Sequence, residues 1–123
     1  MRIALALVAT AALTGAAVAA SAAPRATNQR CDGNTYQMVQ CLKAKTARWD
    51  KQLNAAYRAA FKAAGPKQAE QLRKAQRLWI KYRDANCLYY DLGEGTIARI
   101  EAGSCMIDMT KGRAQELKRA LEP

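Results

Sequence analysis

The Gly65-Pro66 pair interrupts a long stretch of helix-favouring residues, and this break limits how the chain can fold. Glycine is frequent just after a helix ends, and proline is tolerated in the first turn of the next helix. Asn34 can cap the earlier helix, because a glutamine follows it three positions later. The sequence therefore predicts two long helices, over about 34–64 and 66–90, that fold back at Gly65 as an antiparallel hairpin.

Apolar and aromatic side chains recur every three or four residues in both predicted helices, which places them on one face of each helix. When the chain folds at the bend, Trp49 is expected to lie opposite Trp79. Aromatic residues bury large areas, so they should build most of a small core. Asp50 should lie close enough to Arg83 across the hairpin to form an ion pair. The predicted core consists of Trp49, Leu53, Tyr57, Trp79 and Tyr82.

The segment 91–103 differs in composition from the two helices. Its sequence, DLGEGTIARIEAG, contains three glycines and three carboxylates, which predicts a loop with at most one short turn of structure. Ser104 can cap a third helix from about Cys105 to Leu121. The predicted fold class is all-α, an antiparallel helical hairpin plus a third C-terminal helix, stapled by two disulfides.

The first 22 residues have the layout of a secretory signal peptide, with a cationic start, an apolar run and the small residues AVAASAAP. Cleavage is expected after Ala22, with Ala19 and Ala23 as alternative sites, and a retained membrane anchor is the alternative interpretation. The predicted localisation is periplasmic or secreted, without stable membrane insertion after cleavage. The predicted organisation is a signal peptide over 1–22, a flexible segment over 23–33 and one helical domain over 34–123.

Four cysteines follow the signal peptide, and an even number in a small exported domain predicts two disulfides. The hairpin register favours Cys41–Cys87, which leaves Cys31–Cys105. In a regular first helix, Cys31 and Cys41 would be about 10 Å apart along the axis, too far for a disulfide. If the first helix begins later, near Leu42, the pairing Cys31–Cys41 with Cys87–Cys105 becomes the better choice.

The chain contains no histidine, which excludes Ser-His and Cys-His nucleophile pairs. It also lacks a Cys-x2-Cys pair, a phosphate-binding glycine loop and a Gly-x-Ser-x-Gly elbow. The aromatic residues of the second helix have the spacing of a buried stripe rather than of a base-stacking surface. We therefore predict that the protein is not an enzyme, has no catalytic residues, carries no metal or cofactor and binds no nucleic acid.

The protein is strongly basic. Its formal net charge is +10, and it falls by one when Arg2 leaves with the signal peptide. A basic exported protein is attracted to polyanions. One function that fits this charge is a cell-envelope protein that binds anionic wall polymer or lipid through its basic helical surface.

An ordered series of motifs extends over nearly the whole exported part of the chain. It consists of Cys31, Cys41, DKQLNAAY at 50–57, AQRLWIKYRDANC at 75–87, GEGT at 93–96, Cys105 and TKGRAQEL at 110–117. This series resembles the LprI-type lysozyme-inhibitor family of small exported bacterial proteins. The block QRxWxxYRDxxC is the most specific part. Glu94 departs from the family pattern, because the loop commonly reads GGS or GGT in the family.

The resemblance implies a helical fold, export, and a lysozyme as the protein partner. A lysozyme cleaves glycan with two carboxylates in a cleft, so an inhibitor must fill that cleft with a protruding segment that carries hydrogen-bond donors. The segment expected to protrude most is the 91–105 loop. Arg99 or Thr96 would approach the catalytic acids, and carboxylates would meet a basic rim. The predicted partner-binding residues are Asp91, Glu94, Thr96, Arg99 and Glu101.

Overall fold

The computed structural model describes residues 30–122, which form three α-helices joined by short turns. α1 spans Thr35–Ala63, α2 spans Pro66–Asp91 and α3 spans Ile97–Arg119. The all-α class and the bend at Gly65-Pro66 are confirmed. The predicted signal peptide over 1–22, and most of the predicted flexible segment over 23–33, lie outside the described residues.

The first helix begins at the capping residues that the sequence indicated. The side chain of Asn34 accepts a hydrogen bond from the Gln37 backbone N–H at 3.0 Å, and the Gln37 side chain accepts one from the Asn34 backbone N–H at 3.0 Å. These two bonds satisfy backbone donors that the start of a helix leaves free. At the bend, Pro66 occupies the first turn of α2.

The third helix packs against both α1 and α2, whereas α1 and α2 touch each other at few points. The core therefore lies mainly between α1 and α3, and not between the two long helices as the hairpin register assumed. The buried cluster joins three residues of α1 to two of α3, namely Leu53, Ala56, Ala60, Ala114 and Leu117.

Four of the five predicted core residues belong to this core. Leu53 is buried, and Trp49, Tyr57 and Trp79 pack partly buried against the cluster. The prediction for Tyr82 is wrong, because 63% of its surface is exposed. Tyr82 lies on α2 outside the face that contacts α3, so its ring remains in solvent. The buried or half-buried positions of α2 are Ala69, Leu72, Ala75, Gln76, Trp79, Arg83, Asn86 and Cys87.

The third helix begins at Ile97, well before the predicted start near Cys105, so most of the predicted loop is helical. Gly103 belongs to the predicted loop, but it lies inside α3 against Leu42 of α1. A Cβ at Gly103 would lie 2.9 Å from Leu42 Cδ1 and 3.0 Å from Leu42 Cβ. The glycine thus permits a close approach of the two helices rather than a turn, and Ser104 does not cap a helix.

The two disulfides are Cys31–Cys41 and Cys87–Cys105, each with a Cα–Cα distance of 5.5 Å. The favoured pairing of Cys41 with Cys87 and Cys31 with Cys105 is therefore wrong. The first helix does begin early, but Cys31 precedes it in a segment that turns back along the helix. Gly33, with φ 115°, supplies the left-handed backbone conformation for that reversal.

The guanidinium of Arg83 connects all three helices. It lies on α2 with its side chain 13% exposed, and it contacts Asp50 of α1 at 3.3 Å, as the sequence predicted. It also donates to the Thr110 hydroxyl of α3 at 3.4 Å and to the neighbouring Asp84 at 2.9 Å. The guanidinium carbon lies 5.2 Å from the centroid of the Trp79 ring. Hydrogen bonds to charged groups are the stronger ones, so this cluster fixes how the helices are oriented.

A second polar contact joins α2 to α3 nearer the bend. The Arg113 guanidinium of α3 donates to the buried side-chain oxygen of Gln76 at 3.1 Å. Arg113 also forms an ion pair with Glu116 at 2.8 Å. This contact again shows that α2 packs against α3.

Two glycines of α3 predict opposite effects of the same substitution. We expect Gly103→Ala to lower the free energy of unfolding by about 1–2 kcal/mol, because the added methyl displaces Leu42. Gly112→Ala is the matched control, since a Cβ added there would have no neighbour within 4 Å. It should raise the free energy of unfolding by about 0.5–1 kcal/mol, through helix propensity alone. Urea unfolding of the oxidised proteins measures both, and equal effects would contradict close α1–α3 packing.

The Arg83 cluster predicts that even a conservative change there is costly. Arg83→Lys should lower the free energy of unfolding by about 2 kcal/mol, because a lysine cannot serve Asp50, Asp84 and Thr110 together. Arg73→Lys is the control on the same helix, where the guanidinium lies exposed over Phe61 at 5.2 Å. It should change stability by less than about 0.5 kcal/mol. Urea unfolding checks both values, provided that the dependence of the unfolding free energy on urea concentration is unchanged. If Arg83→Lys leaves the stability unchanged, the role given to this cluster is wrong.

Candidate functional site

The turn that joins α2 to α3 is a short exposed connection that contains or adjoins most of the predicted binding residues. It comprises residues 92–96, between the end of α2 at Asp91 and the start of α3 at Ile97. The backbone N–H groups of Leu92 and Gly93 donate to carbonyls of the last turn of α2, each at 3.0 Å. The turn is therefore held closely to α2. We call residues 89–97 the tip.

The tip exposes large apolar side chains. Tyr89 and Leu92 are each 76% exposed, and Ile97 is 54% exposed. Single exposed apolar residues are normal on a protein surface, but several together at one end of a fold are typical of an interaction site. The tip thus has apolar side chains available for a partner.

The tip and its flanking helical turns are acidic, although the whole protein is basic. Residues 84–108 contain five carboxylates, and Arg99 is the only lysine or arginine among them. The net charge of this segment is therefore −4, which follows from those five anions and one cation. The tip therefore lies within an acidic segment of a basic chain.

The structure separates the five predicted partner-binding residues, although all five are exposed. Asp91 ends α2, and Arg99 lies in the first turn of α3; both line one groove. Glu94 is in the turn itself, and Thr96 immediately precedes α3. Glu101 faces the other side of α3, where it lines a different cavity. The predicted set is therefore distributed over the turn and two faces, and not along one continuous loop.

A groove of about 840 Å³ opens between the first half of α1 and the second half of α2, with α3 at its floor. It exists because α1 and α2 diverge where the predicted hairpin would have closed them. Its lining is mainly apolar on the floor, with Met106 and Ala102 of α3, and mixed at the rims, where Tyr36, Lys43 and Leu88 lie. The sequence does not predict this groove, because its walls come from helices whose neighbours differ from those of the predicted hairpin.

A smaller cavity of about 430 Å³ lies on the opposite side, between α2 and α3. Glu101 and Asp108 line it together with Asn86 and Tyr90. Both carboxylates are on the exposed face of α3, so this side of the molecule is acidic. Glu101 thus belongs to a surface next to the tip and not to the turn.

The Cys87–Cys105 disulfide fastens the base of the tip. Cys87 lies one turn before the end of α2, and Cys105 lies about two turns into α3. The sulfur of Met109 is 3.8 Å from each disulfide sulfur. The side-chain amide of Asn86 donates to the Met109 sulfur at 3.3 Å. The two helices that carry the tip are therefore held together covalently and by packing.

Comparison with known proteins assigns the family. The model of the family "Lysozyme inhibitor LprI" matches residues 26–117, which is most of the chain and nearly all of the described part. The chain belongs to the LprI family. An inhibitor family also agrees with the prediction that this protein is not an enzyme.

One curated relative of this LprI family member has no characterised function. It is an uncharacterized protein of Rhizobium meliloti (strain 1021), 31% identical over 90 residues. The match covers 72% of this chain and 59% of the relative, so the chain spans less than two thirds of that protein's length. No solved structure matches the chain.

The three sequence blocks on which the LprI resemblance was based meet in space. Asp50 comes from the first block, Arg83 from the second and Thr110 from the third, and these residues are joined through the Arg83 guanidinium. The resemblance therefore rests largely on residues that build the fold. The tip lies between two of these blocks.

Two further observations concern the described part of this LprI protein. Residues 30–122 contain no group of three His, Cys, Asp or Glu side chains placed to hold a metal ion. None of the helices in that range is long and apolar enough to cross a membrane. The two disulfides are typical of proteins in an oxidising compartment outside the cytoplasm, which is consistent with the predicted export.

Removal of the Cys87–Cys105 disulfide should loosen the tip selectively. We expect Cys87→Ala with Cys105→Ala to cost about 3 kcal/mol, because the bond closes a loop of intermediate length. Hydrogen exchange of the tip amides should also become faster. The control is Cys31→Ala with Cys41→Ala, whose cysteines are only 10 residues apart instead of 18. The control variant should leave hydrogen exchange at the tip unchanged. If the tip amides are equally protected in both double variants, the tip does not depend on the Cys87–Cys105 disulfide.

Proposed function

We propose that this protein inhibits a peptidoglycan-cleaving lysozyme by docking its tip against the enzyme's substrate cleft. The observation that carries the proposal is membership of the LprI family, whose model is described as a lysozyme inhibitor. The curated relative is uncharacterized, so the activity itself is an inference for this chain.

The exposed apolar side chains of the tip support its role as the docking element. The centres of protein interfaces are enriched in aromatic and other large apolar groups, and the rims are polar. Tyr89, Leu92 and Ile97 supply such a centre, with Asp91 and Glu94 beside them. A tip of this composition is suited to bury apolar area while its carboxylates remain at the edge.

The charge distribution removes an objection based on the net charge. Two strongly basic proteins repel each other at long range, which slows association. The segment 84–108 has a net charge of −4, so the tip and its flanking turns offer carboxylates to a basic enzyme. Electrostatic orientation would then bring the tip forward in the encounter. Arg99 follows the tip in the first turn of α3 and lines the groove, so it is a donor that can approach the catalytic carboxylates of a lysozyme.

The first test measures clearing of a cell-wall suspension by a c-type and a g-type lysozyme in the presence of the purified oxidised protein. We expect concentration-dependent inhibition of at least one class. Leu92→Ser with Ile97→Ser should weaken it by about tenfold or more, because both side chains would lose buried contacts. Leu78→Ser is the control, since Leu78 is 66% exposed but lies on α2 away from the tip.

Charge provides a separate test of orientation. Glu94→Lys should slow association with the lysozyme. The difference from the wild-type association rate should become smaller as salt is added, because the effect is electrostatic. Glu122→Lys changes the net charge equally but lies beyond the end of α3, so it should change the association rate less. If the tip variants inhibit like the wild type, another surface binds the enzyme; if the wild type inhibits neither lysozyme class, the proposed function is wrong.

A further inference from the structure

The exposed cations are concentrated at the end of the molecule that contains the Gly65-Pro66 bend. Residues 58–77, which form the last turns of α1 and the first turns of α2, contain six lysines and arginines and one carboxylate. All six cationic side chains are exposed. We call this segment, together with the C-terminal turns of α3 over 111–119, the basic end.

Few of these cations are neutralised by neighbouring carboxylates. On α2, Lys74 pairs with Glu70 at 3.0 Å. Within residues 30–122, Arg58, Lys62 and Lys67 form no ion pair. The positive charge of the basic end therefore remains available to a ligand.

The cations of the basic end point outward from all three helices. On α2, Lys67 and Lys74 are seven residues apart and share a face, about 10 Å apart along the axis. On α1, Arg58 and Lys62 are one turn apart, and Lys118 lies in the last turn of α3 at the same end. A flexible polymer can wrap around the bundle and contact cations of several helices, whereas a membrane is flat and contacts only one side of the bundle.

We propose that the basic end binds a linear polyanion with repeated phosphate groups, such as an anionic cell-wall polymer. This site is separate from the tip and does not depend on the proposed inhibition. A membrane surface is a poorer match, because residues 58–77 and 111–119 expose no large apolar side chain, and the exposed Leu78 and Leu121 just outside these ranges leave little to insert into lipid. A nucleic acid is also a poorer match, since the exposed aromatic residues lie elsewhere, at Tyr36, Tyr82, Tyr89 and Tyr90.

The test uses fluorescently labelled linear polyphosphate as the probe and measures its anisotropy with the oxidised wild-type protein at several salt concentrations. We expect binding at low salt that weakens steeply as salt is added, because counterions are released on binding. The variant Lys62→Gln, Lys67→Gln, Arg77→Gln should bind about tenfold more weakly or worse. The matched control, Lys43→Gln, Lys45→Gln, Arg48→Gln, removes the same charge from the first half of α1 and should lose less than about threefold.

The control separates a localised site from general attraction. Equal losses in the two triple variants would mean that only net charge matters, and would overturn the proposed site. So would an absence of polyphosphate binding at low salt. Tighter binding to vesicles of anionic phospholipid, or to single-stranded DNA, than to polyphosphate would assign the basic end to a different partner and would also overturn the proposal. Circular dichroism of both variants verifies that their helices are retained, so that a loss of binding reports on the surface.

Discussion

The ion-pair cluster around Arg83 is the contact on which the arrangement of the three helices depends. Its guanidinium lies largely out of solvent on α2 and reaches a carboxylate of α1 and a hydroxyl of α3. A partly buried arginine is destabilising unless its donors are satisfied, so the three helices are stable together only in an arrangement that supplies these partners. The apolar cluster between α1 and α3 provides most of the buried area, but apolar contacts are not directional. The polar cluster therefore selects one packing among several that would bury similar area.

The position of α3 between α1 and α2 explains the two surfaces that are available for partners. Because α3 fills the space between the long helices near their buried cluster, α1 and α2 diverge at the other end and leave the groove beside the tip. The Cys87–Cys105 disulfide holds α2 to α3 there, which keeps the two helices that carry the tip together. The same topology brings the C-terminal turns of α3 back to the bend. Its lysines and arginines thus join those of α1 and α2 at the basic end.

Much of the fold could be predicted from local signals in the sequence. The cap at Asn34, the bend at Gly65-Pro66 and the lengths of α1 and α2 depend on residues close together in the chain, and all were predicted correctly. The start of α3 was not predicted correctly. Gly103 is required by its close contact with Leu42, which is distant in the sequence, and a glycine gives the same local signal in a turn and in a tight helix crossing. The favoured disulfide pairing was wrong for a related reason. The spacing of apolar residues along the helices does not indicate the reversal at Gly33 or the register of α2 against α3. The candidate partner-binding residues are all exposed, but their distribution over two faces depends on where α3 packs.

By itself, the sequence determined the class of the fold, the number of disulfides, the absence of histidine chemistry and the ion pair of Asp50 with Arg83. It also contained the acidic segment and the basic segment, since charge can be counted along the chain. Only the tertiary structure decided which helix faces which, because a stripe of apolar residues specifies that a face is buried but not by what. For the same reason, the structure alone revealed the groove, the exposed tip and the grouping of cations from three helices at one end.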